Sequence, residues 1–327
     1  MTEMNILQIP VVLTSGEELS IPYWRIDSGV KGPVFLAIAC QHGNEINGCI
    51  SIHRFIERIK TSLKKGMVIG VPFANLLALK ARRPHLDLGP EQPYIESQGH
   101  NMQMLWPGNA NGNDTERLAF AIWNNIVTKA THIVDIHCYP KSAAPLIQIH
   151  RTGETEKIAR IMGFPFLRYI PDEHGHDWPG SIRLQAGKLG KVVIGCELSG
   201  QYGLWENGIS LGERALLYVV NYLGMIDDKH GEEPPPILLD LNKYLEVKAE
   251  HSGLFVQSNF SLCDSIKKGD SLGYILGDKN LDVCTISAPV NGHIIRVCSR
   301  PDCDVSLKDC HQFVYEGDVL AVIAPIQ

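Results

Sequence analysis

In the stretch AIACQHGNEINGC (37–49), His42 and Glu45 stand three residues apart just past an apolar run that ends at Cys40. Such a pair is either a polar turn or two ligands of a metal ion. His137 closes a second apolar run, THIVDIH (131–137), and Glu197 lies at the end of a third, KVVIGCEL (191–198). If these runs are strands of an open α/β sheet, their carboxyl ends meet on the edge where such sheets bind ligands. His42, Glu45 and His137 would then form the two-histidine, one-carboxylate set of a catalytic zinc site, which leaves a position for water. Zinc lowers the pKa of that water and polarises a bound carbonyl. A carboxylate that follows a buried apolar run, as Glu197 does, suits a general base that takes the proton of the water and delivers it to a leaving amine. Asp135, two residues before His137, falls on the same side of its strand. It is read either as orienting that histidine or as capping a nearby loop.

These residues need elements to carry them. GPVFLAIAC (32–40), GMVIGVPFA (66–74), 131–137, PLIQIHR (145–151) and 191–198 read as strands buried on both faces. Helical periods fall at 47–60, 114–130, 153–163, 181–189 and 209–225, and Asp114-Thr-Glu-Arg marks a start with acidic residues in the first turn. Alternation of this kind predicts an α/β domain with a mixed or largely parallel sheet flanked by helices, over 1–230. DDKHGEEPPP (227–236) is charged and then proline-rich, so 231–237 is expected to be a linker. From 238 to 327, short strands alternate with Gly-Asp and Asn-Gly turns, which predicts a small all-β, barrel-sandwich-like domain. KKGDSLGYI and YEGDVLAVI look alike, so the domain is expected to be a two-fold sandwich.

A net charge of -6 offers no basic footprint for nucleic acid or for an anionic membrane surface. No apolar run reaches the roughly 18 residues needed to span a bilayer, and the N-terminus lacks the basic and apolar regions of a signal peptide. The nine cysteines follow no regular framework and are expected to be reduced thiols in a cytoplasmic protein. A small-molecule substrate is the expected partner, and homo-oligomerisation is left open.

The segments QHGNEINGCISIHRFI, VPFANLLALKARRP, NMQMLWPGN, VDIHCYP and VVIGCELSG resemble, in that order, the succinylglutamate desuccinylase/aspartoacylase family of the zinc carboxypeptidase-like group. The resemblance spans nearly the whole chain, β domain included. It implies one zinc per chain on His42 and Glu45, which match the family's HGxE motif, and on His137 of its D-x-H motif. The catalytic glutamate of the E-x-G motif matches Glu197, with Ser199 inserted before Gly200. Relatives also place an arginine after an N-x-x-A segment to polarise the scissile carbonyl. Here Asn75 opens that segment, and Arg83, or Arg82, is the matching cation.

One departure bears on the substrate. Where the family has Asp-Leu-Asn-Arg-x-Phe-Pro-Gly, whose Asn and Arg hold a substrate carboxylate, this chain has Asn101, Gln103 and Met104 before Trp106-Pro107-Gly108. Methionine cannot supply the charged fork that carboxylates favour. The expected carboxylate is therefore absent, masked or bound elsewhere, or another arginine compensates. His174 and His176 in DEHGHDWPGS (172–181), with Tyr139 and Tyr202, are further substrate-binding candidates that serve equally well as surface residues. Cys298, Cys303, Cys310 and His311 are either a second, structural zinc set or isolated thiols. ISAPVNGHI resembles the hairpin of biotinyl and lipoyl carriers without the lysine those need. The expected activity is a zinc-dependent deacylase acting on an N-acyl amino acid or a related N-acyl amine. The alternatives are a small-peptide carboxypeptidase, an esterase, or a binding protein that kept the fold.

Overall fold

The computed structural model describes residues 3–89, 92, 94–170, 179–228, 233–240, 243–297 and 312–326. The chain divides into two compact units. The first holds Met1–Pro90, Tyr94–Cys138 and Pro145–Ile237, and the second Glu91–Pro93, Tyr139–Ala144 and Leu238–Gln327.

In chain order the first unit contributes β1 (Glu3–Val12), β2 (Glu18–Asp27), β3 (Val34–Ala39), α1 (Asn47–Ile59), β4 (Met67–Val71), α2 (Leu76–Ala81), α3 (Asp114–Asn125), β5 (His132–Tyr139), β6 (Leu146–Ile149), α4 (Gly153–Ile161), β7 (Phe166–Tyr169), α5 (Ile182–Lys188), β8 (Val192–Ser199) and α6 (Glu206–Tyr222). With β9 (Ile237–Leu239) the strands form one sheet in the order β1-β2-β4-β3-β5-β8-β6-β7-β9. The sheet is mixed. β3 runs parallel to β4 and β5, and β6 to β7, whereas β1–β2, β2–β4 and β6–β8 are antiparallel.

Both faces of the central strands are covered, which is why their sequences read as unbroken apolar runs. On one face Phe35, Ala37 and Ala39 of β3 join Val134 and Ile136 of β5 against Ile52, Phe55, Ile56 and Ile59 of α1. On the other, Leu36 and Ile38 join Ile69, Val71 and Ile133 against Leu118, Ala119 and Ile122 of α3. Asp135 and His137 continue the alternation of Ile133, so both leave the strand on the α3 face. α3 begins with a capping box in which Asn113 and Glu116 exchange side-chain and backbone bonds, in keeping with the acidic start expected at Asp114. Its last expected turn tightens into a 3-10 turn at Val127–Lys129.

The hairpin β1–β2, helix α2 and strands β7 and β9 were not foreseen. β1 and β2 lie at the sheet edge and expose one side, so they lack the continuous apolar run by which the other strands were recognised. Of the expected linker 231–237, residues 231–232 lie outside the described set, and Ile237 opens β9.

The second unit is an antiparallel β-sandwich. β10 (Leu245–Lys248), β17 (Val319–Pro325), β15 (Gly292–Val297) and β12 (Ser265–Ile266) form one sheet, and β14 (Val283–Ser287), β13 (Ser271–Gly277), β11 (Gly253–Gln257) and β16 (Phe313–Val314) the other. Phe255, Leu272, Ile275, Ile294, Leu320 and Ile323 fill its core. The two similar segments do enter the two sheets through matching turns. Gly269 and Gly317 both sit at φ +91. The following Asp270 and Asp318 accept from Lys267 N (2.7 Å) and Tyr315 N (2.8 Å). A third turn of this design ends at Asp264, with Cys263 at φ 75 in the glycine position and Ser261 N donating to Asp264 Oδ2 over 2.7 Å.

Candidate active site

After β3 the backbone reverses at Cys40, which adopts φ 62, and runs through residues 41–46 into α1. Parallel pairing of β3 with β5 puts this loop beside the end of β5. His42, Glu45 and His137 are nearly inaccessible, at 3%, 3% and 1% exposure. Their ligand atoms lie within 4.8 Å of one another. Glu45 Oε1 is 2.8 Å from His42 Nδ1, and Oε2 is 2.9 Å from His137 Nδ1 and accepts from Cys138 N over 3.1 Å.

The outer ring nitrogens fix the tautomers. Asn101 Oδ1 accepts from Gln103 N (3.1 Å), which identifies it as the oxygen of the amide, and it lies 3.1 Å from His42 Nε2. His42 therefore donates from Nε2. Trp106 Nε1 donates to Gln41 Oε1 (2.7 Å), so Gln41 Nε2 must donate to Asp135 Oδ1 (2.6 Å). Asp135 Oδ2 then takes His137 Nε2–H over 3.2 Å. Both imidazoles turn Nε2 outward to an acceptor, and both Nδ1 atoms face the carboxylate of Glu45. A ring nitrogen and a carboxylate oxygen at this distance need a proton or a metal cation between them. The donor set, two imidazole nitrogens and a carboxylate with its outer contacts in place, fits a divalent metal.

Without a metal, protons must do that work, and the titration behaviour shows the strain. Burial pushes the Glu45 carboxyl up, yet His42 and His137 together hold it down at about 2. Burial opposes charge on His137, but Asp135 and Glu45 raise its pKa well above the ordinary range.

Glycine is needed twice in this loop. A Cβ on Gly43 would lie 2.2 Å from Ala78 C and 2.5 Å from Arg83 O, so residues 78–84 close on the loop only because it is absent. Gly43 N also donates to Pro84 O over 3.1 Å. On Gly48 it would lie 2.8 Å from Ile136 Cγ2 and 2.9 Å from Ala39 Cβ, where the first turn of α1 rests on the sheet. Asn75 ties the loop from the other side: its Nδ2 donates to Gln41 O (3.1 Å) and its Oδ1 caps α2 at Ala78 N (3.2 Å).

Glu197 lies on β8, 8% exposed. The antiparallel register sets Leu146 of β6 opposite it, so Gln148, two residues on, shares its face. Gln148 Nε2 donates to Glu197 Oε1 over 3.3 Å, and Arg168 Nη2 donates to Gln148 Oε1 over 2.7 Å. Burial raises the Glu197 carboxyl to about 8; His137, Arg183 and Arg168 pull it down and Glu45 pushes it further up. A carboxyl in that range exchanges a proton near neutrality, as a general acid–base group must.

The other expected residues are placed as follows. Arg82 is the exposed C-cap of α2 at φ 57, and Arg83 is half-buried. Gln103 is buried and Met104 is 45% exposed, both in the 3-10 turn Met102–Met104. Tyr139 ends β5 and is counted with the second unit. Tyr202 sits at φ 59 and donates its backbone N–H to Asn44 O over 2.8 Å. His174, His176, Cys298, Cys303, Cys310 and His311 lie outside the described residues. Among the described residues one other metal-capable group occurs, Glu250, His251 and Cys284, on the second unit with both of its first two members exposed.

Gln41, Gln148, Arg168 and His85 were missed. Gln148 carried a signal, being the polar interruption of an apolar run, PLIQIHR. His85 is fully buried, its ring centroid 5.1 Å from that of His42 and 5.0 Å from that of Tyr94.

The catalytic-domain model of succinylglutamate desuccinylase/aspartoacylase matches residues 31–223. A curated relative, the N-alpha-acetyl-L-2,4-diaminobutyric acid deacetylase of Halomonas elongata, is 21% identical over 94% of this chain and 86% of its own length. Among solved structures, an aspartoacylase family protein from Mesorhizobium loti superposes with a TM-score of 0.71 at 21% identity, covering 100% of this chain and 95% of its own. The product-bound ectoine utilization protein EutE (DoeB) from Ruegeria pomeroyi gives 0.70 at 20% identity, covering 99% and 95%. The fold is thus that of the aspartoacylases, and the match over the whole catalytic core places the chain in the succinylglutamate desuccinylase/aspartoacylase family.

Proposed function

We propose that the protein is a zinc-dependent amidohydrolase that removes an acyl group from an N-acyl amino acid or a related N-acyl amine, with one zinc per chain. The observation that carries this reading is the pair of Nδ1 atoms turned on the Glu45 carboxylate, with Glu197 close enough to respond to both His137 and Glu45. Zinc bound there would supply Lewis acidity and a water of lowered pKa.

The protein's own groups do the rest. His42, Glu45 and His137 hold the ion, and Asn101 and Asp135 keep the two imidazoles in the ligating tautomer. Glu197, steadied by Gln148, takes a proton from the attacking water and returns it to the nitrogen as the C–N bond breaks. Acid and amine leave as products. Arg83 is the arginine assigned to the developing oxyanion.

Met104 supplies no charged fork, so the amine part of the substrate is expected to carry an amide, ester, amine or apolar group where relatives bind a carboxylate. The Halomonas relative, whose named substrate bears a second amine, makes N-acetyl diamino acids the first compounds to try. The test is a screen of N-acyl amino acids and N-acyl diamines on zinc-loaded protein. Turnover that stops on chelation and falls by about 10²–10⁴ in Glu197→Gln supports the reading. Turnover indifferent to both would refute it.

A further inference from the structure

The ring of His85 packs against that of the candidate metal ligand His42, and it is fully buried. Neither ring nitrogen has a hydrogen-bond partner among the described residues. Leaving a buried polar group unpaired costs about 1–3 kcal/mol, and native proteins rarely leave one so. Its nitrogens stand apart from the cluster formed by His42, Glu45 and His137, so His85 is not one of that ligand set. The backbone just before it is pinned to the metal-site loop by Gly43 N donating to Pro84 O. Its ring packs in a three-ring cluster with His42 and Tyr94, all centroids 5.0–5.2 Å apart, and Tyr94 is in turn anchored through its hydroxyl to Asn44 (2.8 Å). The imidazole is thus packed in place, with hydrogen-bonding capacity that none of the described residues uses. By contrast, Arg82 is exposed and Arg83 half-buried.

We infer that His85 is a further catalytic residue of the reaction proposed above, donating a ring N–H to the acyl oxygen of the bound amide as that oxygen becomes an oxyanion. The inference rests on that reading. When water oxygen bonds to the carbonyl carbon, the C=O π pair moves onto the oxygen, and the His85 N–H stabilises the charge there. His85 keeps its proton throughout. The C–N bond then breaks with its electron pair leaving on nitrogen, which is protonated from Glu197, and the carbonyl re-forms. A fixed neutral donor in a dry site suits this task because it needs no reorganisation as charge develops.

The experiment compares wild type with His85→Phe, which keeps a ring and removes both nitrogens, and His85→Gln, which keeps one N–H donor. Zinc content, kcat and KM are measured for each on the substrate found in the screen. Loss of one oxyanion donor predicts a fall in kcat of about 10²–10³ for Phe, with KM and bound zinc little changed and partial recovery in Gln. A Phe variant that holds its zinc and retains kcat within threefold of wild type overturns the inference while leaving the amidohydrolase reading intact. If wild type hydrolyses no N-acyl amine, that reading fails and this one with it. Should the variants lose zinc, the wild-type protein crystallised with a phosphonate analogue of the substrate decides. A His85 ring nitrogen about 3 Å from a phosphonyl oxygen sustains the role, and one beyond hydrogen-bond reach ends it.

Discussion

Glu197 is a buried carboxyl whose proton is held to about pH 8 by the folded protein, against an ordinary value near 4.5. Substituting Gln keeps the shape and removes the charge. Below about pH 4.5 the wild-type group is protonated whether folded or unfolded, and it contributes no difference. Between there and about pH 8 the unfolded chain releases this proton while the folded one keeps it, so stability falls as pH rises. Above about pH 8 the loss levels off. At about 1.4 kcal/mol for each tenfold in proton affinity, the full displacement corresponds to about 5 kcal/mol. This applies to metal-free protein, because a divalent cation favours the carboxylate. The assay is urea unfolding of chelated wild type and Glu197→Gln at pH 5 and pH 9. The variant should be more stable by several kcal/mol at pH 9 and within about 1 kcal/mol at pH 5. The infrared band of a protonated carboxylic acid should persist in metal-free wild type at pH 7 and be missing from the variant. Equal stabilities at pH 9, or an advantage that does not grow with pH, would refute burial as the dominant influence on this group.

Three other outcomes are expected. His42→Ala and His137→Ala should each abolish tight zinc binding, and Asn101→Ala, which frees His42 Nε2, should weaken it about 10–100-fold; elemental analysis and competition with a chelator give the values. Gly43→Ala forces a methyl into the backbone of residues 78–83 and should destabilise the protein by about 1–3 kcal/mol, read as a lowered urea midpoint with reduced zinc retention. N-acetylaspartate and N-succinylglutamate should be hydrolysed more slowly than their carboxyl-blocked analogues. A tenfold advantage for the free acids, about 1.4 kcal/mol in transition-state binding, would mean that another cation serves the carboxylate, with Arg168 the one to substitute first.

Local pattern was enough to find β3, β4, β5, β6 and β8 and, α2 apart, the helices between them, because strands covered on both faces read as apolar runs whatever the topology. Chemistry-bearing residues at the ends of such runs were legible for the same reason: His42, Glu45, His137 and Glu197 interrupt or follow them. The repeated Gly-Asp turns were visible because their positive-φ step favours glycine and the aspartate that follows closes the turn. Antiparallel pairing of β6 with β8, which sets Gln148 beside Glu197, was not legible, since strand direction leaves no mark on composition.

Nor could the sequence reveal the roles of Gln41, Asn101 and His85. Asn101 stood only at the position of the family's Asp, beside the altered clamp residues Gln103 and Met104, yet the fold brings its oxygen to His42 Nε2 across 59 positions of chain. Gln41 links Trp106 to Asp135, residues 65 positions after it and 94 positions after it. His85 has meaning only because the Gly43–Pro84 bond draws its segment onto the metal-site loop. Residue type and spacing thus determined which atoms could bind a metal or move a proton. Tertiary structure decided how each site imidazole is oriented, the proton affinity of each site carboxyl and the burial of His85, because all three depend on burial and on partners distant in the chain.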